Sequence, residues 1–178
     1  MRKILLIIFF LGIYSFVNSQ NTTAVINAAG LQAGFLGGWL YNEVSVSNDK
    51  TIRAELGINM WFYETFGDQP YFYPSLSVEP RWYYNILKRE KKNKSINKNS
   101  ADFISIKGIF VPEFAHVPIK AGYSFSNSLA IVPYWGIRRE IAKNIFAELG
   151  LGVGYEFHFG KYASEDNLLI LPHFRIGM

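Results

Sequence analysis

Apolar and polar residues alternate strictly over residues 51–63. Ile52, Ala54, Leu56, Ile58, Met60 and Phe62 are set against Thr51, Arg53, Glu55, Gly57, Asn59 and Trp61. A period of two puts the first group on one face of a β-strand and the second on the other. The pattern returns over 75–87, where Leu76, Val78, Pro80, Trp82, Tyr84 and Ile86 oppose Ser75, Ser77, Glu79, Arg81, Tyr83 and Asn85. It returns again over 144–157, where Ile145, Ala147, Leu149, Leu151, Val153, Tyr155 and Phe157 oppose Phe146, Glu148, Gly150, Gly152, Gly154 and Glu156. Shorter versions lie at 36–46, 103–111, 129–138 and 168–178, which makes seven strands by direct inspection.

The longer strands suffice to cross a bilayer at a tilt. Aromatic residues make up 17% of the chain and charged residues only 18%, a balance that suits a surface facing lipid when the apolar residues are spread over strands. Single-chain bacterial barrels of that kind have an even number of strands. A weak alternation at 23–33, ahead of the glycine-rich break at 34–38, supplies the eighth. The expected fold is all-β: an eight-stranded antiparallel up-and-down transmembrane β-barrel with a closed polar lumen.

The N-terminus explains how such a chain would reach an outer membrane. Arg2 and Lys3 precede an apolar run from Ile4 to Phe16, and Val17, Asn18 and Ser19 offer small residues for a signal peptidase. The run is too short for a spanning helix. Residues 1–19 therefore read as a signal peptide and residues 20–178 as one outer-membrane β-barrel domain. The chain has no cysteine, so neither N-terminal lipidation nor a disulfide framework is available.

Loop lengths set the orientation, because such barrels place short turns in the periplasm and longer loops outside. With the weak strand first, the turns at 47–50 and 140–143 fall in the periplasm together with both termini. Segments 67–73, 112–127 and 158–166 become extracellular. The connection 88–100 misfits, being long yet on the periplasmic side, and the first extracellular connection is short.

The polar faces, taken as the lumen, carry Arg53, Arg81, Lys107, Arg138 and Arg175 against Glu43, Glu55, Glu79, Glu148 and Glu156, with His173 among them. Five positive charges meet five negative. Eight strands enclose an interior just wide enough for side chains to fill, so these charges are expected to pair across strands as a closed polar core. A selective pore would need more strands and an excess of one sign. Gly150, Gly152 and Gly154 share the inward face of one strand and read as room for long side chains from the opposite wall.

Phe62, Tyr63, Tyr71, Phe72 and Tyr73 gather at one rim, with Tyr155, Phe157 and Phe159 near the same level, while Trp82 and Tyr84 lie toward the other. Such girdles suit membrane interfaces. Lys88, Arg89, Lys91, Lys92, Lys94 and Lys98 stand with only Glu90 between them, a segment of +5 that leaves the rest of the mature chain near −3. The run reads as a solvated loop, the alternative being a patch for an anionic surface such as lipid headgroups. Nucleic acid is an unsuitable partner for an exported barrel despite a pI of 9.2.

Catalytic signatures are sparse. His116, His158 and His173 show no metal-ligand spacing, and no cofactor or metal is expected. His173 with Ser105 could in principle pair base and nucleophile, and Glu79 with Glu148 could serve acid and base, but a packed lumen offers substrate no cleft. The expectation is a monomeric structural or interaction protein without enzymatic activity. Its rivals are a lipid-modifying membrane enzyme and a secreted soluble barrel binding an apolar ligand. In the soluble case Leu56, Ile58 and Leu151 would point inward and Arg53, Glu55 and Glu148 outward.

The stretches Glu79-Pro80-Arg81-Trp82-Tyr83-Tyr84-Asn85, Pro133-Tyr134-Trp135-Gly136-Ile137-Arg138-Arg139 and Gly150-Leu151-Gly152-Val153-Gly154-Tyr155 resemble uncharacterised small outer-membrane β-barrel proteins common in Bacteroidota, which are Gram-negative. The resemblance covers nearly all of the mature chain and includes the junction before Gln20. It implies a fold, an outer-membrane location after export through the inner membrane, surrounding outer-membrane lipid and the barrel-assembly machinery as partners. It carries no active residues. Members often end in an aromatic residue resembling an assembly signal. This chain ends Arg175-Ile176-Gly177-Met178, with Phe174 as a substitute.

Overall fold

Eight strands follow one another in the computed structural model, which describes residues 25–62, 70–113, 126–161, 163 and 165–178. They are β1 (Ala28–Gly34), β2 (Gly37–Ser45), β3 (Lys50–Phe62), β4 (Pro70–Trp82), β5 (Asp102–Val111), β6 (Asn127–Ala142), β7 (Ile145–Phe159) and β8 (Asn167–Gly177). Each pairs antiparallel with the next, and β8 returns to β1, giving a closed up-and-down barrel. The proposed signal segment 1–19 with its junction, together with Tyr63 and His116, lies outside the described residues.

The alternation read from the sequence is the alternation of faces. In β3 Thr51, Arg53, Glu55 and Gly57 are buried while Ile52, Leu56 and Ile58 are exposed, and β4, β6 and β7 repeat this. Period two leaves a strand no other arrangement once one face is committed to the interior. The interior is consequently the polar side.

Two hairpins are as tight as geometry allows. Phe35 and Leu36 join β1 to β2, and Gly37 takes φ +147°, where a Cβ would also meet the Ile58 carbonyl oxygen at 2.2 Å. The expected break at 34–38 thus shrinks to two residues, with Gly34, Gly37 and Gly38 inside strands. Lys143 and Asn144 join β6 to β7 next to a bulge between Glu140 and Ala142, so β6 runs past the expected end at Arg138.

The larger correction concerns residues 83–101. The strand expected to reach Leu87 stops at Trp82, and the segment expected as a solvated loop contains α1 (Ile86–Lys91) and a 3₁₀ turn at Asn97–Asn99. This segment closes the proximal end, where β1 begins and β8 ends. Ile86, expected on the outer face, is fully buried with Tyr83, Ala101 and Phe103, because the turn at Tyr84 and Asn85 redirects the chain across the barrel mouth. Asn99 holds the cap down by pairing with both the N–H (2.8 Å) and the C=O (3.1 Å) of Ile26. The Asp102 N–H donates to the Asn85 side chain (2.9 Å). A long connection on the side of short turns is thereby accounted for: it is a lid folded into the barrel end.

The circuit closes unevenly. β1 meets β8 over three residue pairs, Gln32 with Gly177, Ala33 with Ile176 and Gly34 with Arg175. The short first hairpin ends there, while β3 and β8 continue toward the distal end.

Candidate functional site

The inward positions of seven strands converge on one cluster. Glu43 from β2, Arg53 and Glu55 from β3, Glu79 and Arg81 from β4, Lys107 from β5, Arg138 from β6, Glu148 from β7 and Arg175 from β8 are all at most 5% exposed. Several of their ion pairs join strands that are not neighbours. Arg81 donates to both oxygens of Glu148 at 3.0 Å, and Arg138 reaches the same carboxylate through Nε at 2.8 Å. Arg138 Nη1 also donates to Glu43 at 2.9 Å. Such forked geometry suits guanidinium better than ammonium.

Glu43 is the best-satisfied carboxylate of the proximal layer, accepting from Thr51 (2.8 Å), Tyr83 (2.7 Å) and Asn99 (3.2 Å). Burial pushes the Tyr83 phenol above its usual range, so it stays protonated and remains a donor. One layer up, Glu55 takes Lys107 at 2.5 Å, Arg53 at 2.6 Å and Arg175 at 3.1 Å. Glu79 accepts from Arg81 at 2.8 Å and from the Ser105 hydroxyl at 2.6 Å.

Each guanidinium also lies against a ring. Arg53 sits 4.1 Å from the Tyr41 centroid, Arg81 4.2 Å from Phe103, Arg138 4.6 Å from Phe146 and Arg175 3.7 Å from Trp39. At buried positions these contacts count for more than at a surface. Trp39 and Tyr41 share the face of Glu43 and could have been found by parity alone. Tyr83 continues the parity of Glu79 and Arg81, whereas Asn99 arrives from the cap and could not have been found that way.

The expected balance of charge is off by one. Glu156 has inward parity, but it lies eight residues distal of Glu148 on β7, with its side chain 25% exposed and its carboxylate 3.8 Å from His158. The buried cluster therefore holds five cations on four carboxylates. Arg175 is the least tied of the five: its guanidinium pairs with Glu55 alone among the carboxylates, and its Nε finds no acceptor among the described residues.

His173 and Ser105 do not meet as a catalytic pair. His173 Nδ1 pairs with the Tyr134 hydroxyl at 2.5 Å and its Nε2 lies 3.2 Å from Glu148, while Ser105 is committed to Glu79. Arg81 lies between Glu79 and Glu148 and holds both, at 2.8 and 3.0 Å. Among the described residues no three His, Asp or Glu side chains gather as metal ligands.

The glycines of β7 make room, but for the neighbouring strand β6 rather than for side chains of the opposite wall as expected: Gly150 and Gly152 accommodate the Tyr134 ring, and Gly154 lies against the backbone of Ile131 and Val132. A Cβ on Gly152 would lie 2.4 Å from the Tyr134 ring and 2.5 Å from Val132. Gly152→Ala is expected to cost about 1–3 kcal/mol by overpacking. The outward Gly38→Ala, whose Cβ meets nothing closer than 3.7 Å, should stay within about 0.5 kcal/mol. Midpoints of heat-modifiable gel mobility measure both, and equal midpoints would refute the steric role.

The basic run is split by the cap. Lys88, Lys91, Lys92 and Lys94 are exposed, Arg89 donates to the Ser95 carbonyl at 2.9 Å, and the Lys98 carbonyl accepts from Arg138 at 3.3 Å. The cap thus presents lysines outward and contributes backbone to the lumen. At the same end Trp82, Tyr84 and Trp135 form an outward aromatic group, joined by the Trp135 Nε1–H bond to the Tyr84 hydroxyl at 3.1 Å. Phe72, Tyr155, Phe157 and Phe159 are exposed toward the distal rim, whereas Tyr73 turns inward and is only half-buried. No family model, curated protein or solved structure matches this chain.

Proposed function

We propose that the protein is an outer-membrane β-barrel, exported and assembled as the resemblance to small Bacteroidota barrels implies, whose plugged lumen makes it a rigid scaffold for its distal loops. The observation that carries this reading is the inverted placement of residues. Leu56 is 54% exposed and Glu55 4%, and Leu40, Leu76, Ile106, Ile131, Leu151 and Ile170 continue the exposed apolar belt around the barrel. In water a contiguous belt of that size would be an aggregation surface. In lipid it is the required exterior.

The aromatic groups at both ends of the belt support the same reading, since amphipathic rings favour the headgroup level. The buried ion network supports the scaffold role. It locks seven strands to one another through charged side chains that are almost wholly buried.

The chain has no cysteine, so single cysteines give clean labels. Spin labels at Leu56 and Leu151, in protein reconstituted into phospholipid vesicles, are expected to relax with dissolved oxygen and to ignore a water-soluble nickel chelate. A label at Ser77, which is 6% exposed and inward, should respond weakly to both. Stronger relaxation of Leu56 by the nickel chelate than by oxygen would sink the membrane reading.

A further inference from the structure

The barrel wall has a window. β2 begins at Gly37, opposite Asn59, and the last hydrogen bond of that seam runs from the Met60 N–H to the Leu36 carbonyl at 2.8 Å. β3 goes on to Phe62. On the other side β8 pairs with β1 only from Arg175 to Gly177, leaving residues 167–174 with β7 alone as a strand neighbour among the described residues. Among the described residues, the wall above the Phe35 and Leu36 hairpin is therefore two strands short.

An open strand edge invites a further strand, and the chain argues against that occupant. Met178 donates its N–H to the Leu31 carbonyl across this seam at 2.9 Å. By the alternation of an antiparallel ladder, residues 176, 174, 172, 170 and 168 all turn their backbone groups the same way. Position 172 is proline, whose missing N–H faces the window and interrupts any ladder that would form there.

The lumen behind the window differs from the ion cluster below it. Leu169 and Leu171, on the inward face of β8, are only partly buried and, like Ile109, pack against the buried cluster that includes Ala130, Val132 and Tyr134. Gly154, on the neighbouring strand, adds no side chain to this space. On the outer side of the same edge Leu168 and Ile170 are 68% and 61% exposed, and Phe35 at the sill is 80% exposed. Apolar side chains thus run from the outer belt along the window edge to Leu169 and Leu171, with the Glu156 carboxylate beside them on the inner face of β7.

We propose that the window admits one acyl chain of a lipid from the surrounding leaflet into the distal lumen, where the partly buried Ile109, Leu169 and Leu171 receive it and its headgroup stays at the distal rim. Hydrocarbon needs no hydrogen-bond partner in such a slot, and burying it on apolar walls is favourable. The ion cluster, with His173 and Lys107 at its upper edge, forms the floor that stops the chain. This inference rests on the membrane reading above.

The test uses the whole protein in vesicles containing a phosphatidylcholine with a diazirine midway along one acyl chain. After irradiation, adducts are mapped by mass spectrometry. The expected result is labelling of Ile109 and Leu171 in addition to the belt residues Leu56 and Leu151, with the interior adducts lost in Leu171→Trp and the belt adducts kept. Leu169→Trp serves as a second blocking variant, and heat-modifiable mobility confirms that each is folded. Belt adducts without interior ones would overturn the slot while leaving the membrane reading intact. An absence of belt adducts as well would overturn both.

Discussion

Glu148→Gln is expected to be the most destabilising single change in the lumen, with a loss of about 3–5 kcal/mol, the cost of breaking a buried ion cluster from one side. Arg81 and Arg138 both hydrogen-bond this carboxylate, Arg53 lies 3.7 Å away and His173 Nε2 3.2 Å. Neutralising it leaves the three guanidinium groups facing one another at a buried position, in a cluster already one positive charge in excess. Arg175→Met acts in the opposite sense, removing the surplus cation while Glu55 keeps Lys107 and Arg53. Its loss should be smaller, about 1.5 kcal/mol, near the low end for a hydrogen bond to a charged group. Urea titration of the folded barrel in vesicles ranks the two, and an equal or reversed order would show that the count of five cations on four carboxylates has no energetic meaning.

Leu56→Arg should cost about 2–4 kcal/mol in a bilayer, the penalty for arginine on the lipid face near mid-depth. Leu56 sits midway along β3, flanked by Leu40 on β2 and Leu76 on β4, so a guanidinium there has the whole belt to cross before reaching water. In a barrel exposed to water, the same change at a residue already 54% exposed would fall within about 0.5 kcal/mol. Urea titration in vesicles therefore separates the two environments. A Leu56→Arg protein as stable as the parent would count against the lipid-facing belt.

Much of the fold was legible in advance, and for a definite reason. Which face a residue occupies depends on its parity within one strand, a local property that 51–63 and 144–157 display without interruption. Parity placed Glu43, Arg53, Glu55, Glu79, Arg81, Lys107, Arg138, Glu148 and Arg175 correctly on the inner wall. It also gave the steric role of Gly152, though not the strand it makes room for. Even the weak first strand was recoverable, since closure requires an even number of antiparallel strands.

Parity says nothing about height. Glu156 has the same parity as Glu148, yet β7 carries it to the level where Ala130 and Asn167 are its neighbours, clear of the ion cluster. Height depends on how each strand is staggered against the next, which is fixed only when all eight registers are set together.

The cap was misread for a related reason. Residues 83–87 continue the alternation of β4 in sequence, and the following lysines read as a solvated loop. What bends the chain at Tyr84 is the apolar and hydrogen-bonded interior waiting beneath it, where Ile86 packs and Asn99 finds the ends of β1 and β2.

By itself, then, the sequence determined the strands, their two faces and the inversion that puts charge inside and hydrocarbon outside, because these follow from the spacing of residues along one strand. Only the tertiary structure decided which charges meet, what closes the proximal end and where the wall is left open. Those depend on contacts between residues up to about a hundred and forty positions apart, such as Arg175 with Gln32, and no local pattern encodes them.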